Sequence, residues 1–207
     1  MKLFCSLPSP FARKVRAFAA AKGVALELVE VDVLDAASPV AGFNPLRKIP
    51  ALLADDGEVW FDSSVICEWL DARTGPRLIP EDFAARMRVR RIEALADGLL
   101  DAGVLIRLEN VWPGRAPEQR STAWMDWQWL KIDGAVGELE RFIDNRLFFE
   151  GDALTLADLA VASALEWLDF RLPDRPWRPK APHLATWLSG FSMRPDFAAS
   201  APAAPGP

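Results

Sequence analysis

The sequence is poor in the side chains that most often perform catalysis. Among its 207 residues it has no tyrosine, two cysteines and one histidine, His183. The histidine lies far along the chain from any grouping of acid, serine and cysteine, so neither a catalytic triad nor a zinc site is expected. Cys5 and Cys67 form no CxxC pair and no ligand cluster. We therefore expect no metal and no disulfide framework, and two buried structural thiols.

Long apolar runs and an excess of positive charge are also absent. No stretch reaches the roughly 18 uninterrupted apolar residues that a membrane helix needs. The N-terminal "MKLFCSLPSPFARKV" does not resemble a signal peptide, because prolines and charges interrupt its apolar run. We therefore expect a cytoplasmic protein with no membrane partner. The net charge of −5 argues against a nucleic-acid partner, since that task requires an excess of positive charge on one face.

The first 75 residues carry the signals of a small mixed sheet. An apolar strand at 2 to 5, a helix between Ser9 and Gly23 and a second strand, "LELVEV" at 26 to 31, predict a parallel βαβ unit. "PALLA" and "EVWF" then flank a DDG turn as a hairpin does, and a helix follows from about Ser63 to Arg73. Four strands with helices on their faces are a thioredoxin-like arrangement.

Beyond a proline-rich linker the pattern is helical throughout. Helices are predicted over 83 to 111, 121 to 145, from Thr155 onward and over roughly 182 to 191. Thr155 followed by Asp158 resembles a capping box, and "SAPAAPGP" at the end predicts a disordered tail.

We therefore predict an α/β thioredoxin-like N-terminal domain plus an all-α helical-bundle C-terminal domain. The first covers residues 1–75, the linker 76–84 and the helical domain 85–207.

Ser9 has two possible roles. Serine before Pro10 is a common helix start, in which the hydroxyl only caps the helix. The same residue follows the first strand of an α/β sheet, where ligands collect and where a helix N-terminus favours an anion. A thiolate is such an anion, and a serine hydroxyl could donate a hydrogen bond to it. The local sequence leaves both roles open.

Two further segments combine groups that could bind a peptide-like ligand. In "RKIPAL", Pro50 stands where a strand begins; a cis bond there would turn the backbone of Ile49 outward for pairing with an extended ligand. In "FDSSVICEWL", Asp62 and Ser63 open a helix and are either simple caps or partners for a ligand's carboxylate and ammonium. Lys48 and Arg47 are either surface charges or partners for a second carboxylate.

Taken together, these segments resemble the cytosolic glutathione S-transferase family over essentially the full chain. The four matching motifs are "SPFARKVR", "NPLRKIPAL", "FDSSVICEWLD" and "LTLADLAVASALEWL", in the family's order and spacing. The N-terminal motif is tau/omega-like with serine at the catalytic position. The absence of tyrosine rules out the tyrosine-dependent mechanism of the alpha, mu and pi classes, and serine instead of cysteine argues against omega-like thiol transferase chemistry.

The resemblance implies a role for each matching residue. Ser9 would be the catalytic residue, while Thr155 and Asp158 would serve folding. The implied glutathione-binding residues are Ser9, Lys48, Ile49, Pro50 in the cis state, Asp62 and Ser63. A pocket for the electrophile is expected from Leu7, Pro8, Phe11, Leu108 and Trp112.

The implied function is conjugation of glutathione, as co-substrate, to a small hydrophobic electrophile by a homodimer. One alternative is a glutathione-dependent peroxidase or disulfide reductase, which would use the same site with another second substrate. Another is a non-enzymatic adaptor of the stringent starvation protein A type, which acts by contacting RNA polymerase. The presence of Ser9, Asp62 and Ser63 argues against the adaptor.

Overall fold

The computed structural model describes residues 1–73 and 75–201 and divides into two compact units. The N-terminal unit comprises Met1–Pro80 together with the described residues from Ser192 onward, and the helical unit comprises Glu81–Phe191. The thioredoxin-like and all-helical fold classes predicted from the sequence are confirmed. In this division residues 192–201 group with the N-terminal unit, whereas the sequence analysis assigns them to the helical domain.

A four-stranded mixed sheet in the order β2-β1-β3-β4 forms the centre of the N-terminal unit. Its strands are β1 (Lys2–Cys5), β2 (Glu27–Glu30), β3 (Ala51–Leu53) and β4 (Val59–Trp60). β1 and β2 are parallel, as the βαβ pattern predicts, and β3 is antiparallel to both β1 and β4. β2 is shorter and more exposed than the predicted strand, because it lies at the edge of the sheet.

Helices α1 (Pro10–Ala21) and α2 (Ser63–Arg73) complete this unit, and their ends match the sequence signals. α1 begins with Ser9 as cap and Pro10 as first residue, and Gly23 follows its end with a positive φ of 69°. At the other end of both helices, Lys22 forms a fully buried ion pair with Asp71, with an N–O distance of 3.1 Å.

The helical unit contains four helices of at least ten residues, and capping side chains define where three of them begin. They are α3 (Phe83–Val111), α4 (Thr122–Ile143), α5 (Leu156–Arg171) and α6 (Pro182–Phe191). Asp82 caps α3 and Ser121 caps α4 by accepting backbone N–H groups. Within the described part of the chain, no helix is long and apolar enough to cross a membrane.

A buried capping box begins α5, as the sequence predicts. The Asp158 carboxylate accepts hydrogen bonds from the Thr155 amide and hydroxyl, and also from the Phe149 amide, over 2.8 to 2.9 Å. Burial raises the pKa of Asp158 to about 6, although these hydrogen bonds oppose the rise. The box therefore fixes both the first turn of α5 and the loop before it.

The C-terminal segment packs on α1, which the sequence does not predict. A short helix, α7 (Pro195–Ala198), places Phe197 under the guanidinium of Arg13, 4.5 Å from the ring centre. Arg13 also donates to the hydroxyl of Ser200 over 3.3 Å. Ser200 was expected in a disordered tail, but it is 96% buried, because these contacts hold it. Residues 202–207 of that predicted tail lie outside the described residues.

Candidate functional site

Strand register brings three of the predicted segments to one edge of the sheet. Phe4, near the carboxyl end of β1, pairs with Ala51 at the amino end of β3. Trp60, at the carboxyl end of β4, pairs with Leu52 of β3. Ser9 follows β1, Pro50 precedes β3 and Asp62 follows β4, so each side chain lies just beyond this edge. This is the carboxyl edge of β1, where ligands of open α/β sheets bind.

Ser9 caps α1, and its geometry leaves its own proton available. The Ala12 amide donates to Ser9 Oγ over 3.3 Å, while the Ser9 amide donates to the carbonyl of Ser6 over 3.0 Å. The hydroxyl acts only as an acceptor in this cap, so its O–H can donate to a second group. The first turn of α1 has no acidic side chain, so no carboxylate there offsets the positive end of the helix dipole. The two roles considered for Ser9 are therefore compatible.

The segment before β3 is held by a residue that the sequence analysis missed. Asn44, 98% buried, donates from its side chain to the carbonyl of Lys48 over 2.9 Å and accepts from the amide of Leu46 over 3.0 Å. The Ile49–Pro50 peptide bond that follows is cis, as the resemblance implies. An "NP" pair after an irregular stretch is a turn signal that could have identified Asn44.

The side chain of Arg47 in this loop is bound to backbone carbonyls, whereas that of Lys48 is exposed. Arg47 has a φ of 55°, and its guanidinium donates to the carbonyls of Asp35 and Ala36 over 3.1 and 2.8 Å. Its side chain therefore holds the preceding loop, which argues against the ligand role considered for it. Lys48 is exposed, and its role in binding glutathione stays a prediction.

Asp62 lies at the start of α2 as an ionised cap. Its Oδ1 accepts the amide and the hydroxyl of Ser64, over 3.0 and 2.5 Å, and Ser63 beside it is 97% buried. Burial opposes ionisation of Asp62, but the hydrogen bonds from Ser64 and Val65 and the charge of Lys14 outweigh it, so its pKa is lowered. The peptide bond between Phe61 and Asp62 is also cis, which the sequence does not indicate.

Lys14 is the second residue that the sequence analysis missed. Its side chain is fully buried in α1, and its charge favours the ionised form of Asp62. Fully buried lysines are rare in proteins, and they require compensation by nearby acceptors or charges. The segment "SPFARKVR" carries no local signal that distinguishes a buried lysine from a surface one.

The remaining candidates for chemistry are structural. Cys5 and Cys67 are both fully buried, and burial raises the pKa of the Cys5 thiol, which makes it a poor nucleophile. His183 is half-exposed at the start of α6, with its Nδ1 2.8 Å from Glu140. Residues 1–73 and 75–201 contain no group of three or more His, Cys, Asp and Glu side chains that could hold a metal ion.

The side chains expected to contact an electrophile belong to both units. Leu7, Pro8 and Phe11 are half-buried around the start of α1. Leu108 lies in the last turn of α3 and Trp112 follows the end of that helix, where the Trp112 amide donates to the Leu108 carbonyl over 2.9 Å. That all five line one pocket stays a prediction.

Comparison with known families agrees with this geometry. Residues 8–73 match the N-terminal domain of glutathione S-transferases, and residues 122–189 match their C-terminal domain. The first range contains Ser9, the Ile49–Pro50 bond and the start of α2, and the second contains the capping box of α5.

Individual relatives resemble the chain over nearly its whole length. It is 36% identical to the GST-like protein YibF of Escherichia coli K12 over 98% of both chains. It is 38% identical to a Methylobacillus flagellatus glutathione S-transferase crystallised with glutathione, with a TM-score of 0.91 over 97% of this chain and 98% of that one. A Methylobacterium radiotolerans glutathione S-transferase in complex with glutathione sulfonate gives 38% identity and a TM-score of 0.92, over 100% and 96% of the two chains. From its fold, its motifs and these similarities, the chain belongs to the glutathione S-transferase family.

Proposed function

We propose that this protein is a glutathione transferase that holds the thiol of glutathione as a thiolate at Ser9 and adds it to a hydrophobic electrophile. The observation that carries the proposal is that the hydroxyl of Ser9, at the N-terminus of α1, still has a proton to donate. The two similar transferases described with glutathione or its sulfonate support the choice of co-substrate.

Two effects act on the thiol in this proposal. A helix N-terminus stabilises an anion by about 0.3 to 1 kcal/mol, and by up to ~2 kcal/mol when partly buried. A hydrogen bond from Ser9 to the thiolate adds roughly 1.5 to 3 kcal/mol. Because ~1.4 kcal/mol changes a pKa by one, even the lower limits of the two effects, together roughly 1.8 kcal/mol, lower the pKa of a thiol from about 8.5 to about 7. About half of the bound glutathione is then nucleophilic at pH 7.

The rest of the co-substrate is proposed to bind along the same sheet edge. The backbone of Ile49, before the cis bond to Pro50, pairs with the extended tripeptide as an added strand would. The exposed carboxylate of Asp62, with a lowered pKa, binds the ammonium of the γ-glutamyl group. Ser63 and the first amides of α2 face its carboxylate, and Lys48 pairs with the glycine carboxylate.

In the chemical step, the thiolate sulfur forms a bond to an electrophilic carbon. The electron pair leaves with a leaving group in a substitution, or remains on the acceptor and takes up a proton in a conjugate addition. The Ser9 hydroxyl keeps its own proton throughout, because it acts as a hydrogen-bond donor and not as a base. A peroxide would react with the same thiolate, so a peroxide substrate should be assayed beside an aryl halide.

The experiment compares Ser9→Ala, Ser9→Thr and Ser121→Ala. Ser121 is a matched control, since its hydroxyl also accepts a helix N-terminal amide, over 3.2 Å, but at the start of α4. The thiol pKa of bound glutathione is followed by ultraviolet absorbance, and turnover is measured with a generic aryl halide. Both alanine variants should lose about 1 kcal/mol of stability, because each removes one cap.

Only Ser9→Ala should raise the thiol pKa and lower kcat/KM, by roughly tenfold to hundredfold, with glutathione still retained on an affinity column. Ser9→Thr should restore most of the activity. If Ser9→Ala turns over at the native rate, the Ser9 hydroxyl serves only as a helix cap and the proposed catalytic role is wrong. Failure of the native chain to bind glutathione would instead support the adaptor alternative.

We also propose a cytoplasmic homodimer, as is usual in this family. Sedimentation equilibrium of the native chain checks the homodimer, and a constant mass of one chain at micromolar concentration would contradict it.

A further inference from the structure

A surface cavity of about 200 Å³ lies in the N-terminal unit, between α1, the segment that leads into β2 and the C-terminal segment. Its described lining is Arg16, Ala19, Ala20, Val24, Leu26, Leu28, Ala199 and Ser200. None of the residues proposed to hold glutathione lies on this lining. The cavity is therefore separate from the proposed glutathione site.

The lining of this cavity is apolar except at Arg16 and Ser200, and the hydroxyl proton of Ser200 is already used in a hydrogen bond. The hydroxyl of Ser200 donates to the carbonyl of Phe197 over 2.6 Å and accepts from Arg13 over 3.3 Å. Apart from Arg16 and Ser200, the six lining residues are alanine, valine or leucine, and Leu28 is 40% exposed. Arg16 is thus the single charged group on the described lining.

The guanidinium of Arg16 lacks a full set of acceptors. Its Nη1 is buried, and no acceptor in the described part of the chain lies within hydrogen-bonding distance of it. Burial lowers the pKa of Arg16, the neighbouring Arg13 lowers it further, and Cys5 and Glu30 raise it. A half-buried cation beside apolar side chains is a binding group for an anion, because an anion would compensate its lost hydration.

We infer that this cavity binds a small monocarboxylate with a short apolar tail. The carboxylate pairs with the Arg16 guanidinium through donors other than the buried Nη1, and the tail packs on Ala20, Leu26 and Leu28. A volume of about 200 Å³ is several times the ~30 Å³ that one water occupies in the liquid, which fits roughly seven or eight non-hydrogen atoms. Hexanoate has this size.

The test is titration of the full-length, isotope-labelled chain with hexanoate, followed by amide and methyl NMR shifts. S-hexylglutathione is present in excess to occupy the proposed glutathione site, so that the shifts do not arise from hexanoate binding there. Expected shifts are confined to α1 from Arg16 to Ala20, to Val24–Leu28 and to Ser200. Hexan-1-ol, with the same tail and no charge, is the ligand control.

Arg16→Gln should weaken hexanoate binding by roughly tenfold to hundredfold, since it removes a charge-assisted pair, and should leave the weak binding of hexan-1-ol unchanged. Arg73→Gln, which alters an exposed arginine on α2, should change neither. Shifts elsewhere in the chain, no shifts at all, or equal binding by native protein and Arg16→Gln would overturn the inference. None of these outcomes depends on transferase activity.

Discussion

The buried ion pair between Lys22 and Asp71 should be essential for the stability of the N-terminal unit. Their side chains are 0% and 2% exposed, so neither charge is hydrated. Lys22 Nζ donates to Asp71 Oδ1 and to the Asp71 carbonyl, both at 3.1 Å, and to the Pro76 carbonyl at 2.8 Å, which uses all three of its hydrogens. Lys22→Met keeps an unbranched side chain, one atom shorter than that of lysine, and removes all three interactions.

Removing one partner of a buried pair destabilises a protein by about 3 to 5 kcal/mol, because the other charge stays buried. In Lys22→Met, Asp71 keeps hydrogen bonds from the Leu78 amide and from Arg77, so we expect the lower end, about 3 kcal/mol. Urea unfolding measures this loss. The double variant Lys22→Met/Asp71→Leu should be more stable than the sum of the two single changes implies.

The control is Arg141→Met, because the Arg141–Glu138 pair is 74% and 38% exposed. An exposed pair contributes about 0 to 1 kcal/mol, so this variant should unfold at nearly the native urea concentration. The reasoning is refuted if Lys22→Met costs less than about 1 kcal/mol, or no more than Arg141→Met does.

Two further predictions concern the helical unit. Burial raises the pKa of Asp158 to about 6, so the stability that its protonation contributes is complete below about pH 3.9 and is lost as the pH rises through 6. The free energy of unfolding of the native protein, measured in urea, should therefore increase by about 1.4 kcal/mol when the pH falls from roughly 7 to 5. Asp158→Asn should not show this increase. Parallel pH dependence of the two proteins would contradict this. Gly103→Ala would place a Cβ 2.6 Å from the ring of Trp167 and should destabilise the protein by about 1 to 3 kcal/mol. The control, Gly98→Ala on the same helix, meets nothing within 4 Å and should stabilise the protein by about 0.5 to 1 kcal/mol. Equal melting temperatures for the two variants would exclude the clash.

Local sequence signals predicted the elements that local physics determines. The helix from Ser63 to Arg73 has the predicted ends, because a cap before it and a glycine beyond it are short-range features. The same holds for the helix that Ser9 opens and for the parallel βαβ unit. Stereochemistry acting within a few residues is readable from one sequence.

Contacts between distant segments could not be predicted in this way. Nothing in "SAPAAPGP" indicates that Ser200 is buried, because its partner Arg13 is 187 residues away. The burial of Lys14 likewise depends on tertiary packing that a helical pattern does not encode. For the candidate site, the residue types and their order could be predicted, but the lowered pKa of Asp62 depends on hydrogen bonds and a charge that only the folded chain provides.

The packing of α7 on α1 has a consequence for biosynthesis. The ribosome produces Arg13 before the helical unit and produces Phe197 and Ser200 after it, so α1 gains these neighbours only after residues 81–191 have been made. The helix that Ser9 caps is therefore incompletely covered while the helical unit is synthesised, and a segment made after that unit completes the N-terminal unit.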